Sequence, residues 1–342
     1  MKKVGRNIIT IVLAVCMTLL AACGGNGPGT GTVKLISADS AGKGAAAEQL
    51  GSMIAEKLAA SDAGITAVHH PNGELGGDAD LLRQVGDGDI SLMICQPAPA
   101  VSFIPELAVF DLPMAFAGYS AEQIDAVLNG PSDFHAAMQE AFGRAGYQLL
   151  GFMQGATYRL TTAKKPLRTL SDFRHLQIRT MENNNHMQFW SAIGAEPTPL
   201  AWAEVYFALQ SGTIDAQENA ADTCLGANFQ EVQDYLCCTD HILYVNVVLM
   251  NKPLYDSLDE TQRGALESAV SSSVAEMNGK LAEIDAESKA SLVAGGMELI
   301  EYDPAFFDEI RELDAVLSLY SAIDEQSGGL ASVLTDSLEN TK

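Results

Sequence analysis

From Val33 onward, short apolar runs alternate with stretches patterned as helices. The first part reads as a strand from Val33 to Ser37, a helix from about Gly44 to Ala60, a strand from Ile65 to His70, a helix from Ala79 to Val85 and a strand from Ile90 to Cys95. A β-α-β-α-β order of this kind predicts a parallel sheet covered by helices. A second series runs from Gln148 to about Val247, with a helix between Pro131 and Ala145 ahead of it. Thr261 to Ala294, rich in Ala, Glu and Ser, reads as one long helix, and a helix from Pro304 to about Ser321 is expected to wrap back across both units. The fold class is α/β and bilobal, with a long helix spanning both lobes. Ligands are expected at strand C-terminal ends, in a cleft that a hinge can close. The expected division is 33–155 plus about 245–285 for lobe I, and 156–244 plus about 286–325 for lobe II.

Residues 1–22 read as an address rather than as part of the fold. Lys2, Lys3 and Arg6 form a basic start, Ile8 to Leu20 is apolar but too short to span a bilayer, and Leu20-Ala21-Ala22-Cys23 has the form of a bacterial lipobox. Cleavage before Cys23 leaves its thiol to carry diacylglycerol, and two or more acyl chains anchor stably where one is marginal. Residues 23–32 are Gly-rich and read as a flexible tether. The expected location is therefore extracytoplasmic, lipid-anchored to a bacterial membrane.

Charge narrows the range of partners. The chain has 20 Lys+Arg against 44 Asp+Glu, and losing Lys2, Lys3 and Arg6 leaves 17 against 44, about −27. Such a surface repels nucleic acid and offers no polybasic membrane footprint. An anionic ligand must be captured by a few local cations working against the global field. Cys95, Cys224, Cys237 and Cys238 match no zinc spacing; a bridge from Cys224 and four free thiols are both compatible with export. No metal site and no cofactor is expected.

The stretch from Arg159 to Asn219 holds two arginines twenty residues apart, which suits a carboxylate clamp. Around it stand further blocks: Pro71 to Asp78 followed by Leu81 to Val85, Val109 to Pro113, Tyr158 to Thr162, Leu176 to Arg179, Ile193 to Pro199, Glu204 to Gln210 and Asp215 to Asn219. In this order they resemble the solute-binding proteins of TRAP transporters, the dicarboxylate-binding type, over nearly the whole chain after the leader.

That resemblance implies a periplasmic-binding-protein-like receptor and no enzyme, handing a small organic acid to a permease of one small and one large membrane subunit driven by an ion gradient. It also implies roles. Arg179 would pair with the solute carboxylate, because a guanidinium presents parallel N–H donors and stays charged. Arg159 aligns with a second basic contact, and Asn219 with an amide donor. Asp39, Asp78, Gln96, Glu182 and Trp202 fall at further cleft positions, although Asp39 and Asp78 also suit helix caps, Glu182 a pair with Arg179, and Trp202 a core site. Gln96 and Glu182 stand where sialic-acid-binding members have Glu and Asn, which argues for another acid: a uronate, an aldonate, or a simpler keto, hydroxy or dicarboxylic acid. Ala216 and Ala220 replace the usual Gly and Pro, so the loop holding Asn219 is expected to be set differently. The rival readings are the binding lipoprotein of an ATP-driven importer and an exported hydrolase using Asp215 and Glu218 as a carboxylate pair.

Overall fold

The computed structural model describes residues 32–342; Cys23, the leader and almost all of the tether lie outside the described residues. The first elements are strand β1 (Val33–Ala38), helix α1 (Ala46–Ala59), β2 (Ile65–His70), α2 (Asp78–Asp87) and β3 (Leu92–Cys95). There follow α3 (Pro97–Ala100), α4 (Ala121–Leu128), α5 (Asp133–Arg144), β4 (Tyr147–Tyr158), β5 (Leu160–Ala163), β6 (Gln177–Thr180), α6 (Asn184–Ala192), β7 (Glu196–Pro199), α7 (Trp202–Ser211), β8 (Ala216–Asn219) and α8 (Ala221–Gly226). The chain ends with β9 (Tyr235–Cys237), β10 (Leu243–Asn251), α9 (Lys252–Ser257), α10 (Glu260–Ala294), β11 (Glu298–Ile300), α11 (Pro304–Arg311), α12 (Asp314–Gln326) and α13 (Leu330–Glu339).

Two sheets result, ordered β2-β1-β3-β10-β4 and β11-β9-β5-β8-β6-β7. Neither is fully parallel, which corrects the expectation from the β-α-β pattern. In the first sheet β1 and β3 run parallel, but β10 is antiparallel to both β3 and β4. In the second, β6 is parallel to β7 and β8 while β5 opposes β8 and β9. The reason lies in the two crossings. β4 leaves the first sheet and continues through Arg159 into β5, whereas β10 re-enters from β9 in the opposite sense. The crossings touch where Arg159 N donates to Ile242 O at 2.8 Å. All nine residues of β10 are buried, as a central strand covered on both faces requires.

Helix α10, 35 residues long and opened by an Asp259/Gln262 capping box, is about 52 Å from end to end. It packs on β4 and α1 beside the first sheet and on α8 and β9 beside the second. Gly155 permits the close approach, since a Cβ there would lie 2.4 Å from Leu281 Cβ. The single helix expected over 304–321 is instead two, α11 and α12, because Leu313 is extended (φ −64°, ψ 125°) and packs its side chain on the core. This break lets α11 rest on the turn at Leu170–Phe173 while α12 crosses to the turn at Pro105–Asp111.

The β9–β10 link carries Asp240 in the left-handed region (φ 38°) near Asp285 and Glu301. Burial, aided by those two carboxylates and opposed by Lys289, pushes its pKa up to about 6. A carboxyl held above its unfolded value costs the native state nothing below about pH 4, progressively more as pH rises to 6, and its full amount above. Asp240→Asn keeps a residue that tolerates positive φ and removes this cost. Thermal melts between pH 4 and 8 are expected to show a variant a few degrees more stable at pH 8 and equal to the parent at pH 4; equality at both ends would refute the burial cost.

Candidate carboxylate-binding cleft

The cavity between the sheets is tight, with about 40 Å³ of space for water, and adjoins an outer hollow of about 390 Å³ that shares Arg179, Asp78 and Trp202 with it. It is built at strand and helix termini. Asp78 opens α2, Gln96 follows β3, Asn219 ends β8 and Trp202 opens α7; Arg179 stands on β6.

Arg179 is 3% exposed. Its Nε and Nη2 donate to Leu200 O at 2.9 and 2.7 Å, which fixes the plane of the guanidinium. Nη1 is buried without a partner among the described residues. The Trp202 ring centroid lies 5.9 Å from Cζ. Burial pulls the pKa of Arg179 down to about 10, leaving it charged at neutral pH in a site that does not satisfy it. A buried donor in that state costs free energy that an incoming carboxylate would return.

Around it, Asn219 accepts from Ala220 N at 3.1 Å, so its Nδ2 is left to donate. Ser40 Oγ donates to Asp78 Oδ1; burial raises the Asp78 pKa, against that bond and the charge of Arg179. Gln96 accepts from Arg159 Nη1. Glu182 is exposed and lines an outer hollow shared with Arg179, Asp78 and Trp202. Ala220 is extended (φ −71°, ψ 158°) and Ala216 sits in β8, so neither position needs the positive φ that a glycine would supply. Asn219 therefore reaches the cavity on an ordinary backbone.

Two expected contacts are not brought to the cavity wall. Asp39 accepts from Ala41 N and Asn72 N at 2.8 and 3.1 Å, and lies 2.9 Å from His69 Nε2. Its role is to tie β1 to the loop after β2. Arg159 sits between β4 and β5, 2% exposed, and grips Glu218 through Nε to Oε2 and Nη2 to Oε1. Its nearest link to the cavity is Gln96.

Glu218 is the centre of a buried charge cluster. Its burial opposes ionisation, but the charge of Arg159 and the histidines beside it hold its pKa well below the usual range. His186 has Nδ1 3.6 Å from Glu218 and Nε2 3.1 Å from Asp111. Burial disfavours its charge, yet bonds to Asp111 and Glu218 outweigh that and place it at about 9. Asp111 also accepts from Asn183 and Asn185 at 2.9 and 3.0 Å. Asp215 accepts from Gln177 N at 3.3 Å, so it and Glu218 do not face each other across a space for a scissile bond. The four cysteines are free thiols, and Gln217 Nε2 donates to Cys224 Sγ at 3.3 Å.

Ser40, Tyr244 and Asn246 line the cavity without having been expected there. One signal for Asn246 was legible: it is the only polar side chain apart from the Tyr244 hydroxyl in the apolar run Leu243 to Met250.

The sequence model of bacterial extracellular solute-binding protein, family 7, matches residues 35–323. The chain belongs to this family. A solute-binding protein of Verminephrobacter eiseniae is 29% identical over 260 residues, 76% of this chain and 75% of that protein. A TRAP periplasmic solute-binding protein of Bordetella bronchiseptica, with density assigned to pantoate, superposes with TM-score 0.80 at 29% identity and covers 91% of this chain and 99% of its own. The sugar-acid-binding protein of Advenella mimigardefordensis, in complex with galactonate, shares the fold with TM-score 0.84 at 22% identity over 91% and 99%. This family-7 chain is thus an extracytoplasmic solute receptor of the TRAP type, with the two-lobed α/β fold of that group.

Proposed function

We propose that this receptor closes its lobes on a small, hydroxylated carboxylic acid of the sugar-acid kind, with Arg179 fixing the carboxylate, and delivers it to the small and large membrane subunits of a TRAP permease without chemical turnover. The observation that carries this reading is Arg179 itself: a guanidinium in the cavity wall whose plane is set by Leu200 O and whose Nη1 is buried without a partner among the described residues. Asn219 and Trp202 supply a second donor and an apolar face. The Bordetella relative's pantoate is an acid of the same kind.

A thermal-shift screen of the chain without its first 23 residues tests the reading, using uronates, aldonates, keto acids, dicarboxylates, amino acids and neutral sugars. A bound acid at a hundred times its Kd is expected to add about 2.7 kcal/mol of stability. A shift with one acid and none with its neutral analogue is the expected result. Stabilisation by neutral sugars or peptides alone would make Arg179 a structural residue.

We also infer lipid anchoring through Cys23, supported by the lipobox Leu20-Ala21-Ala22-Cys23. Mass spectrometry of the membrane-extracted protein is expected to find Cys23 as the N-terminal residue with diacylglycerol on its thiol; an unmodified Cys23 would exclude the anchor.

A further inference from the structure

One feature of the cavity wall bears on which acids enter. Asn246, on β10 of the first sheet, is 3% exposed, and its Nδ2 is buried with no partner among the described residues. Arg179 Nη1, on the second sheet, is the other unpartnered buried side-chain nitrogen lining the same space. The two unsatisfied donors come from opposite lobes and differ in charge. The guanidinium is best matched by an anion, whereas a neutral hydroxyl or keto oxygen already satisfies the amide.

The remaining charges point the same way. Among the described residues lining the cavity, Arg179 is the single cation and Asp78 the single acid. Arg159, which meets the cavity wall through Gln96, is held by Glu218. The outer hollow adds two more acids, Asp80 and Glu182, and no further cation. A second carboxylate on the solute would meet no free positive charge and would approach Asp78, paying desolvation with no partner.

We propose that Asn246 is a solute-contacting specificity residue, donating Nδ2 to a hydroxyl or keto oxygen of a monocarboxylate bound on Arg179, and that this wall selects against dicarboxylates. The proposal rests on the reading of the cavity as an organic-acid site. It adds a residue and a restriction on the solute.

The test uses pairs of acids differing only at the end remote from the first carboxylate: glycerate and tartronate, erythronate and tartrate, galactonate and galactarate. Calorimetric titration of the parent protein is expected to show the monoacid of the best-fitting pair bound at least about tenfold more tightly than its diacid. Asn246→Leu, of similar volume, is expected to weaken that monoacid about tenfold while leaving the corresponding unsubstituted acid (propionate, butyrate or hexanoate) unaffected. Asn246→Asp, which keeps the shape and replaces the donor by an acceptor, guards against a folding defect in the leucine variant and is expected to weaken the monoacid at least as much. Equal or tighter binding of the diacid would overturn the selection, and unchanged monoacid affinity in both folded variants would make Asn246 a core residue; either leaves the acid-receptor reading standing. Binding of no acid in the set would remove that reading and this proposal together.

Discussion

Arg179→Ala is expected to raise the Kd for the bound acid by roughly 30- to 5,000-fold, about 2 to 5 kcal/mol, measured by calorimetric titration. The range follows from removing the cationic half of a charge pair in a largely dry cleft. Without ligand the same substitution should leave the melting temperature unchanged or raise it, because it deletes a buried charge whose Nη1 is unsatisfied and whose pKa burial has already pulled down to about 10. Loss of affinity together with retained or increased stability is the mark of a preorganised binding group. Arg179→Lys should not restore binding, since an ammonium cannot hold Leu200 O with one edge and present a parallel fork to the solute. Affinity in the parent should be flat across neutral pH and fall as pH rises through about 10, where the free receptor loses the charge. Unchanged affinity in Arg179→Ala would place the site elsewhere.

Arg159→Met is expected to act in the other direction, lowering unfolding free energy by about 3 to 5 kcal/mol while the protein that remains folded still binds its acid. Glu218 is fully buried and gripped at both oxygens by Arg159, so removing the arginine leaves a carboxylate with only His186 and His241 beside it. Urea unfolding at pH 7 measures the loss. The sign of the pH dependence gives a second check. Glu218 is held well below its ordinary pKa, so its contribution is present above the unfolded value near 4.5 and is lost as pH falls toward the folded one. In the variant that pKa rises, and the difference from the parent shrinks as the solution is acidified. Arg159→Met combined with Glu218→Leu should recover much of the loss. A variant as stable as the parent but unable to bind acid would mean that Arg159 reaches the solute directly.

Both predictions depend on a distinction that the sequence drew only in part, putting Arg179 on the carboxylate and Arg159 at a second contact. Spacing and the surrounding motif picked out Arg179 and Arg159 together. What separates them is the residue facing each: a backbone carbonyl that leaves one nitrogen free for Arg179, a carboxylate fifty-nine positions away for Arg159. Asp39 is a similar case. Its position after the first strand is right for a cleft, but its oxygens are taken by His69 and two backbone amides, and a Cβ on Gly51 would collide with the His69 ring that makes this pairing possible.

The local pattern of the chain determined the strands and helices of the first β-α-β-α-β unit and the long helix of Glu260–Ala294, because periodicity and capping are local properties, while the resemblance to TRAP solute-binding proteins is what singled out Arg179, Asn219 and Trp202. Only the tertiary structure decided strand direction, the break at Leu313 and the use of each buried charge. Those depend on which segments cross between the lobes and meet: β10 returns against β3 and β4, α12 must turn to reach the first lobe, and Glu218, Asp111 and Asn246 acquire their roles from side chains that no sequence neighbour supplies.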